Sequence, residues 1–131
     1  FELFLRLRQL PDIPMHGSEH HGLLAGLVVA AYRNCGGDVG EDDVIKAIVR
    51  ANVIPGRACG YLGICGAAAA MGAAFSVILD ATPLRAERRQ QVLQVVAKVA
   101  SCDATFRHAH LQAEPDTAAL QINFGNLWFQ S

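Results

Sequence analysis

The chain has 131 residues, is 52% hydrophobic but only 7% aromatic, and carries 11 basic against 12 acidic side chains, a formal charge of −1. That length suits one domain with a real core; the balanced charge lacks the basic footprint of a nucleic-acid binder, and four cysteines at 35, 59, 65 and 102 are too sparse for a disulfide scaffold. Their irregular spacing favours thiols or metal ligands in a reducing compartment, so a cytoplasmic protein is expected.

In chain order, residues 2–10 place Leu3, Phe4, Leu7 and Leu10 on one helical face. The same stretch alternates as a strand would; a short helix is the reading adopted. Pro11 and Pro14 then hold the chain extended. A second helix runs from about Ser18, a suitable N-cap, to Asn34, and Gly36-Gly37 ends it. Its stretch 22–31 is apolar nearly all round, which predicts burial on several sides. Glu41-Asp42-Asp43 opens a third helix to about residue 52, with Val44, Ile45, Ile48 and Val49 inward and Lys46 and Arg50 outward.

Pro55-Gly56 marks a turn. Beyond it a Cys/Gly loop, about 56–65, feeds a Gly/Ala-rich helix, about 66–80, around which the other elements are expected to pack. Residues 58–79 carry no formal charge, but Gly and Ala dominate the first half, so a buried helix is preferred to a membrane span. Residues 83–101 form an amphipathic helix with Leu84, Val92, Val95, Val96 and Val99 inward. Arg85, Glu87, Arg88 and Arg89 are read as its solvated face. A last helix near 106–111 is weakly patterned. The expectation is an all-α, compact bundle of five to six helices, one domain over 1–124. Residues 125–131 look like a variant protease-cleavage tag, and the start at Phe1 suggests a fragment.

Two stretches carry ligand chemistry. In MHGSEHH at 15–21, His16, His20 and His21 stand at a helix start with Glu19. Neutral imidazole is a metal ligand and a proton carrier, and a carboxylate beside it orients the ring. His16, Glu19 and His20 also fit the H-x-x-E-H pattern of inverted zinc peptidases, which needs both histidines on one helix. The plain alternative is a surface pair with Ser18 and Glu19 capping the helix. Cys59 and Cys65 are five residues apart, a poor match to zinc ribbons or thioredoxin-like pairs. They suit zinc or iron if the loop folds back, and Cys65 at a helix start favours thiolate. The plain alternative is buried thiols beside packing glycines. Cys35 and Cys102 stand at helix ends and, taken singly, read as structural.

The string PDIPMHGSEHH at 11–21 resembles the PxIPMHGPEHH signature of an uncharacterised domain family of methanogenic archaea and anaerobic bacteria. IPGRACGYLGICGAA at 54–68 resembles its second signature, VPGGFCGFWGACGAA, and Ala81-Thr82-Pro83-Leu84 a third. The similarity covers about residues 1–105. It implies His16, Glu19, His20, His21, Cys59, Cys65 and Cys102 as site candidates. Where the family has a paired-cysteine PRCCKR motif, this chain reads Ala100-Ser101-Cys102-Asp103, with one thiol. A fainter likeness is to iron–sulfur lyases of the serine-dehydratase kind, which also run a Cys/Gly stretch into an Ala/Gly helix.

The leading expectation is a Cys/His site for zinc, iron or an iron–sulfur cluster. His16, His20, Cys59, Cys65 and Cys102 would be its ligands, with Glu19 and His21 handling protons. Two other classes remain open. One is a metal-free interaction module that forms a homo-oligomer through the Gly/Ala helix. The other is a thiol enzyme with a histidine base. No nucleic-acid or membrane partner is expected.

Overall fold

A computed structural model describes residues 2–7, 9–13 and 17–106, with the side chains of Phe4 and of 102–106 excepted. Among these the elements are α1 (Glu2–Leu7), α2 (Glu19–Asn34), α3 (Glu41–Asn52), α4 (Ala58–Tyr61), α5 (Gly66–Ile78) and α6 (Ala86–Phe106), with no strand. The protein is all-α, as expected. Two differences lie in the loops. The Cys/Gly loop contains the single turn α4, and Leu84 precedes α6 in a turn where it is 94% exposed rather than inward. The region of the expected last helix beyond Phe106, and the tag-like 125–131, lie outside the described residues.

α2, α3 and α5 pack against one another, and α6 lies on α5. The core where the first three meet is Ala25 and Val29 of α2, Ala47 and Ala51 of α3, and Ala70, Ala74 and Val77 of α5. Val29 is the largest fully buried side chain. Side chains this small remove little apolar area each, so the packing relies on close backbone approach rather than bulk. Three glycines mark the contacts. A Cβ on Gly22 would meet the Asn52 amide, one on Gly26 would come 2.7 Å from Ile48 Cγ1, and one on Gly72 would come 2.6 Å from Val96 Cγ2.

The alanines also explain why α3 turns differently from its large-residue pattern. Val44, Ala47, Ile48 and Ala51 face α2 and α5, while Ile45 and Val49 are exposed. The i, i+3, i+4, i+7 stripe is kept, but the small residues take its centre.

α2 ends as its Gly36-Gly37 predicts. Gly36 takes a left-handed φ of +88°, the Gly36 N–H donates to the Arg33 carbonyl at 3.0 Å, and the Gly37 N–H donates to that of Tyr32 at 3.0 Å. This is the Schellman arrangement. α5 ends the same way without glycine. Asp80 takes φ +48°, its N–H donates to Val77 O at 3.0 Å, and the Ala81 N–H donates to Ser76 O at 2.8 Å. Aspartate tolerates this region better than most residues. Its carboxylate then accepts from Arg85 and, at 3.2 Å, from Arg88, which stitches the start of α6 to the end of α5. Arg85, and to a lesser degree Arg88, hold the Asp80 carboxyl below the usual aspartate range. At the start of α3 the Gly40 N–H and Lys46 do the same for Asp43. Both contributions are present above the unfolded aspartate pKa and are lost as pH falls through the lowered folded one.

No helix among the described residues is long and apolar enough to cross a membrane.

This packing predicts opposite outcomes at two glycines, read as thermal midpoints by circular dichroism. Gly72→Leu overfills the α5–α6 contact and destabilises by about 1–3 kcal/mol or more. Gly60→Ala, where nothing lies within 4 Å of an added Cβ, stabilises by about 0.4–1 kcal/mol. At the α5 corner, Asp80→Gly should be more stable than Asp80→Ala by about 1 kcal/mol, because both lose the arginine clamp but only alanine is strained at positive φ. Equal midpoints for the two Asp80 variants would contradict the left-handed corner.

Candidate functional site at the joint of α2 and α5

The segment between α3 and α5 folds across the start of α2. α3 closes with the Ile54 N–H donating to Ala51 O at 3.2 Å. At Gly56 the backbone passes close enough that an added Cβ would lie 3.6 Å from the Ser18 nitrogen. Arg57 then takes a left-handed φ of +66° and opens α4, whose buried Ala58 anchors the loop. The Ala58 carbonyl accepts from Leu62 N at 2.8 Å and from Ile64 N at 3.4 Å. Gly63, at φ +66°, reverses the chain, and extended Cys65 becomes the N-cap of α5. Its side chain makes no capping bond to the helix backbone.

His21, on the first turn of α2, reaches both ends of this segment. Its backbone N–H donates to Ser18 O at 2.9 Å. Its ring Nδ1 lies 3.2 Å from the Ile54 carbonyl oxygen. A carbonyl only accepts, so Nδ1 carries the proton, and in the neutral ring Nε2 holds the lone pair. That Nε2 edge lies on Gly66, the first residue of α5. A Cβ there would fall within the imidazole, 2.7 Å from Cδ2 and 2.8 Å from Cε1, with Nε2 nearer still. Gly66 is therefore glycine because His21 occupies the space of its side chain. The lone-pair nitrogen is thereby set at the residue next to Cys65.

The site residues expected from sequence fall into three groups. His21 and half-buried Cys65 are brought to the same joint, and His20 is half-buried on the same turn of α2. Glu19 and Cys59 are exposed, Glu19 at the first position of α2 and Cys59 on α4. His16 and the Cys102 side chain lie outside the described residues, although Cys102 itself is on α6. Among the described residues no three His, Cys, Asp or Glu side chains are grouped so as to hold a metal ion. Of the H-x-x-E-H residues, Glu19 and His20 lie on the first turn of α2, which begins at Glu19 after a bend at Gly17. Ser18 occupies the N-cap position with helical backbone angles and makes no side-chain cap bond, so the capping alternative is met by backbone alone.

Sequence reasoning gave His21 a proton-handling role and His16 and His20 the ligand roles. The ring of His21 touches the second signature, at Ile54 and Gly66. Its partners, the Ile54 carbonyl and Gly66, carry no side-chain signal; the one hint was that both flank the Cys/Gly loop.

The described residues thus define a small all-α domain in which a histidine at one helix start is fitted against the Cys-Gly start of another. The match to known families agrees: a model described as a family of unknown function, DUF5714, covers residues 1–109, and the chain belongs to that family. No curated protein and no solved structure matches it.

Gly66→Ala tests the joint directly. The added methyl displaces the ring, so the His21 Nδ1–Ile54 bond breaks and the domain loses about 1–3 kcal/mol despite the better helix propensity of alanine. The nitrogen shifts of His21 in a two-dimensional NMR spectrum report the change of tautomer balance. Unchanged shifts would mean the imidazole does not lie on Gly66.

Proposed function

We propose that the domain works through a Cys/His site at the α2–α5 joint that binds a thiophilic transition metal, zinc or iron. The observation that supports it most is the Nδ1 hydrogen bond of His21 to the Ile54 carbonyl. Metal-ligating histidines characteristically donate their other ring N–H to a carbonyl or carboxylate, which fixes the tautomer and aims the lone pair. Imidazole and thiolate also match the preferences of zinc and iron. His21 Nε2 and Cys65 would be the ligands at the joint, and His16, His20, Cys59 and Cys102 the remaining candidate donors. This moves His21 from proton handling to ligation. Glu19, exposed at the rim, would orient a ring or carry a proton. A bound metal would supply Lewis-acid or redox chemistry. The exposed thiols of Cys35 and Cys59 suit a reducing compartment.

A second reading rests on the N-cap position of Cys65. A thiol there, with an imidazole lone pair beside the next residue, is also the layout of a metal-free cysteine nucleophile and its base. Oligomerisation through the Gly/Ala helix has less support. The small residues of α5, from Ala68 to Val77, are buried against α2, α3 and α6 within one chain.

Metal and sulfide analysis of protein purified without oxygen separates the two. The metal reading expects about one equivalent of zinc or iron, lost in Cys65→Ser and in His21→Ala while helicity is retained. Metal-free protein whose Cys65 alkylates fast, and slowly in His21→Ala, would transfer the assignment to the thiol reading.

A further inference from the structure

We propose that a second site, a cleft at the opposite end of α5, binds the phosphate group of a small phosphate monoester. The cleft is shallow and open to solvent, with a volume of about 370 Å³ between α3, the α5–α6 corner and α6. Its lining combines Arg50 and Arg89 with the hydroxyls of Ser76 and Thr82 over an apolar floor of Pro83 and Val92. Ser76 lies eleven residues beyond Cys65, or about 16 Å along a helix axis, so this cleft is separate from the α2–α5 joint.

Charge pairing sets these two arginines apart from their neighbours. Arg85 and Arg88 share the single carboxylate of Asp80, and Lys46 pairs with Asp43. Arg50 and Arg89 make no ion pair among the described residues; each is held by a neutral oxygen. The Arg50 Nη1 donates to Ser76 Oγ at 2.6 Å, and Ser76 in turn donates to the Ala73 carbonyl at 2.7 Å. The Arg89 Nη1 donates to the Pro83 carbonyl. Each guanidinium has five N–H donors, so each is oriented by one and keeps others for a ligand. Glu87 shares the first turn of α6 but forms no ion pair with either arginine.

Two guanidiniums lining one cleft suit a dianion with several oxygens better than a monocarboxylate, because each can bond two oxygens in its fork. The floor of Pro83 and Val92 gives an apolar body somewhere to rest, which makes a monoester a better fit than the free ion. The volume is within the range of small-molecule sites.

The test uses the full chain, with phenyl phosphate and inorganic phosphate as probes in isothermal titration and in amide NMR. Both probes should bind saturably at millimolar concentrations or below. Phenyl phosphate should be the tighter, and the amide shifts should centre on Ser76, Thr82 and Val92. Arg50→Gln and Arg89→Gln should each weaken phenyl phosphate by about tenfold, the loss of one charge-assisted hydrogen bond. Arg33→Gln, an exposed arginine at the end of α2, should leave it unchanged. Because both cleft arginines are exposed, the variants should keep the wild-type helical spectrum. Absence of saturable binding would overturn the proposal. So would equal affinity in the Arg50 and Arg89 variants, or shifts spread over the surface with no focus at the cleft.

Discussion

Close backbone approach around α5 is the constraint on which this structure depends. Apart from Met71 and Phe75 the buried core is alanine and valine, so stability leans on bringing helices near enough for many weak dispersion contacts. Alanine and glycine permit that approach and tolerate little else. A well-filled core of leucines loses stability chiefly when side chains are truncated; this one is most exposed to enlargement. Gly26 against Ile48 and Gly72 against Val96 are already tighter than a Cβ would allow. The same logic governs the joint at Gly66, where the object fitted against the bare Cα is the polar ring of His21.

That continuity links fold to function. α5 is held by α2 and α3 on one side and by α6 on the other, and each of its ends carries a polar feature the core does not need. At the N-terminal end the Cys/Gly loop folds over α2, whose His21 imidazole is held by the Ile54 carbonyl and lies on Gly66, the residue after Cys65. At the C-terminal end the left-handed Asp80 turns the chain and clamps Arg85 and Arg88, while Arg89 and Arg50 are held by neutral oxygens, Arg50 with Asp43 in its field. Tight helices fix the positions of both ends, and rigid elements hold polar groups more precisely than loops do.

Much of this was legible in the residues, and where it was not the reason is physical. Helix periodicity and punctuation predicted α2, α3, α5 and α6 within a few residues, because Gly36, Pro55 and Pro83 act locally. The single turn α4 was hidden because a four-residue helix has no period to detect. The inward face of α3 was misjudged by ranking large residues above alanine, which is the wrong order when neighbours approach closely. Leu84 was placed inward by extending the period of α6 back through a turn. At the site, the sequence marked the two stretches that meet at the α2–α5 joint, but not that the His21 ring would lie on Ile54 and Gly66. Neighbouring helical positions point about 100° apart, and only the path of residues 53–65 decides which one the loop meets. The arginine cleft was illegible for a related reason. Arg50 and Arg89 look like any other solvated charges until the tertiary fold shows which arginines have acids and which do not.

An alanine core also bears on what a ligand at the α2–α5 joint would do. Domains of this size are stable by only about 5–15 kcal/mol, and small buried side chains place this one without a reserve of bulky apolar burial. A metal held jointly by His21 and Cys65 would tie two core helices whose contact is otherwise made mainly of small side chains. Binding energy at such a joint is also folding energy, since the unfolded chain does not hold the two donors together. On the proposed reading, cofactor loading and helix packing are therefore one equilibrium. Gly66 is the residue through which they meet, because the absence of its side chain lets the ring reach the second helix at all.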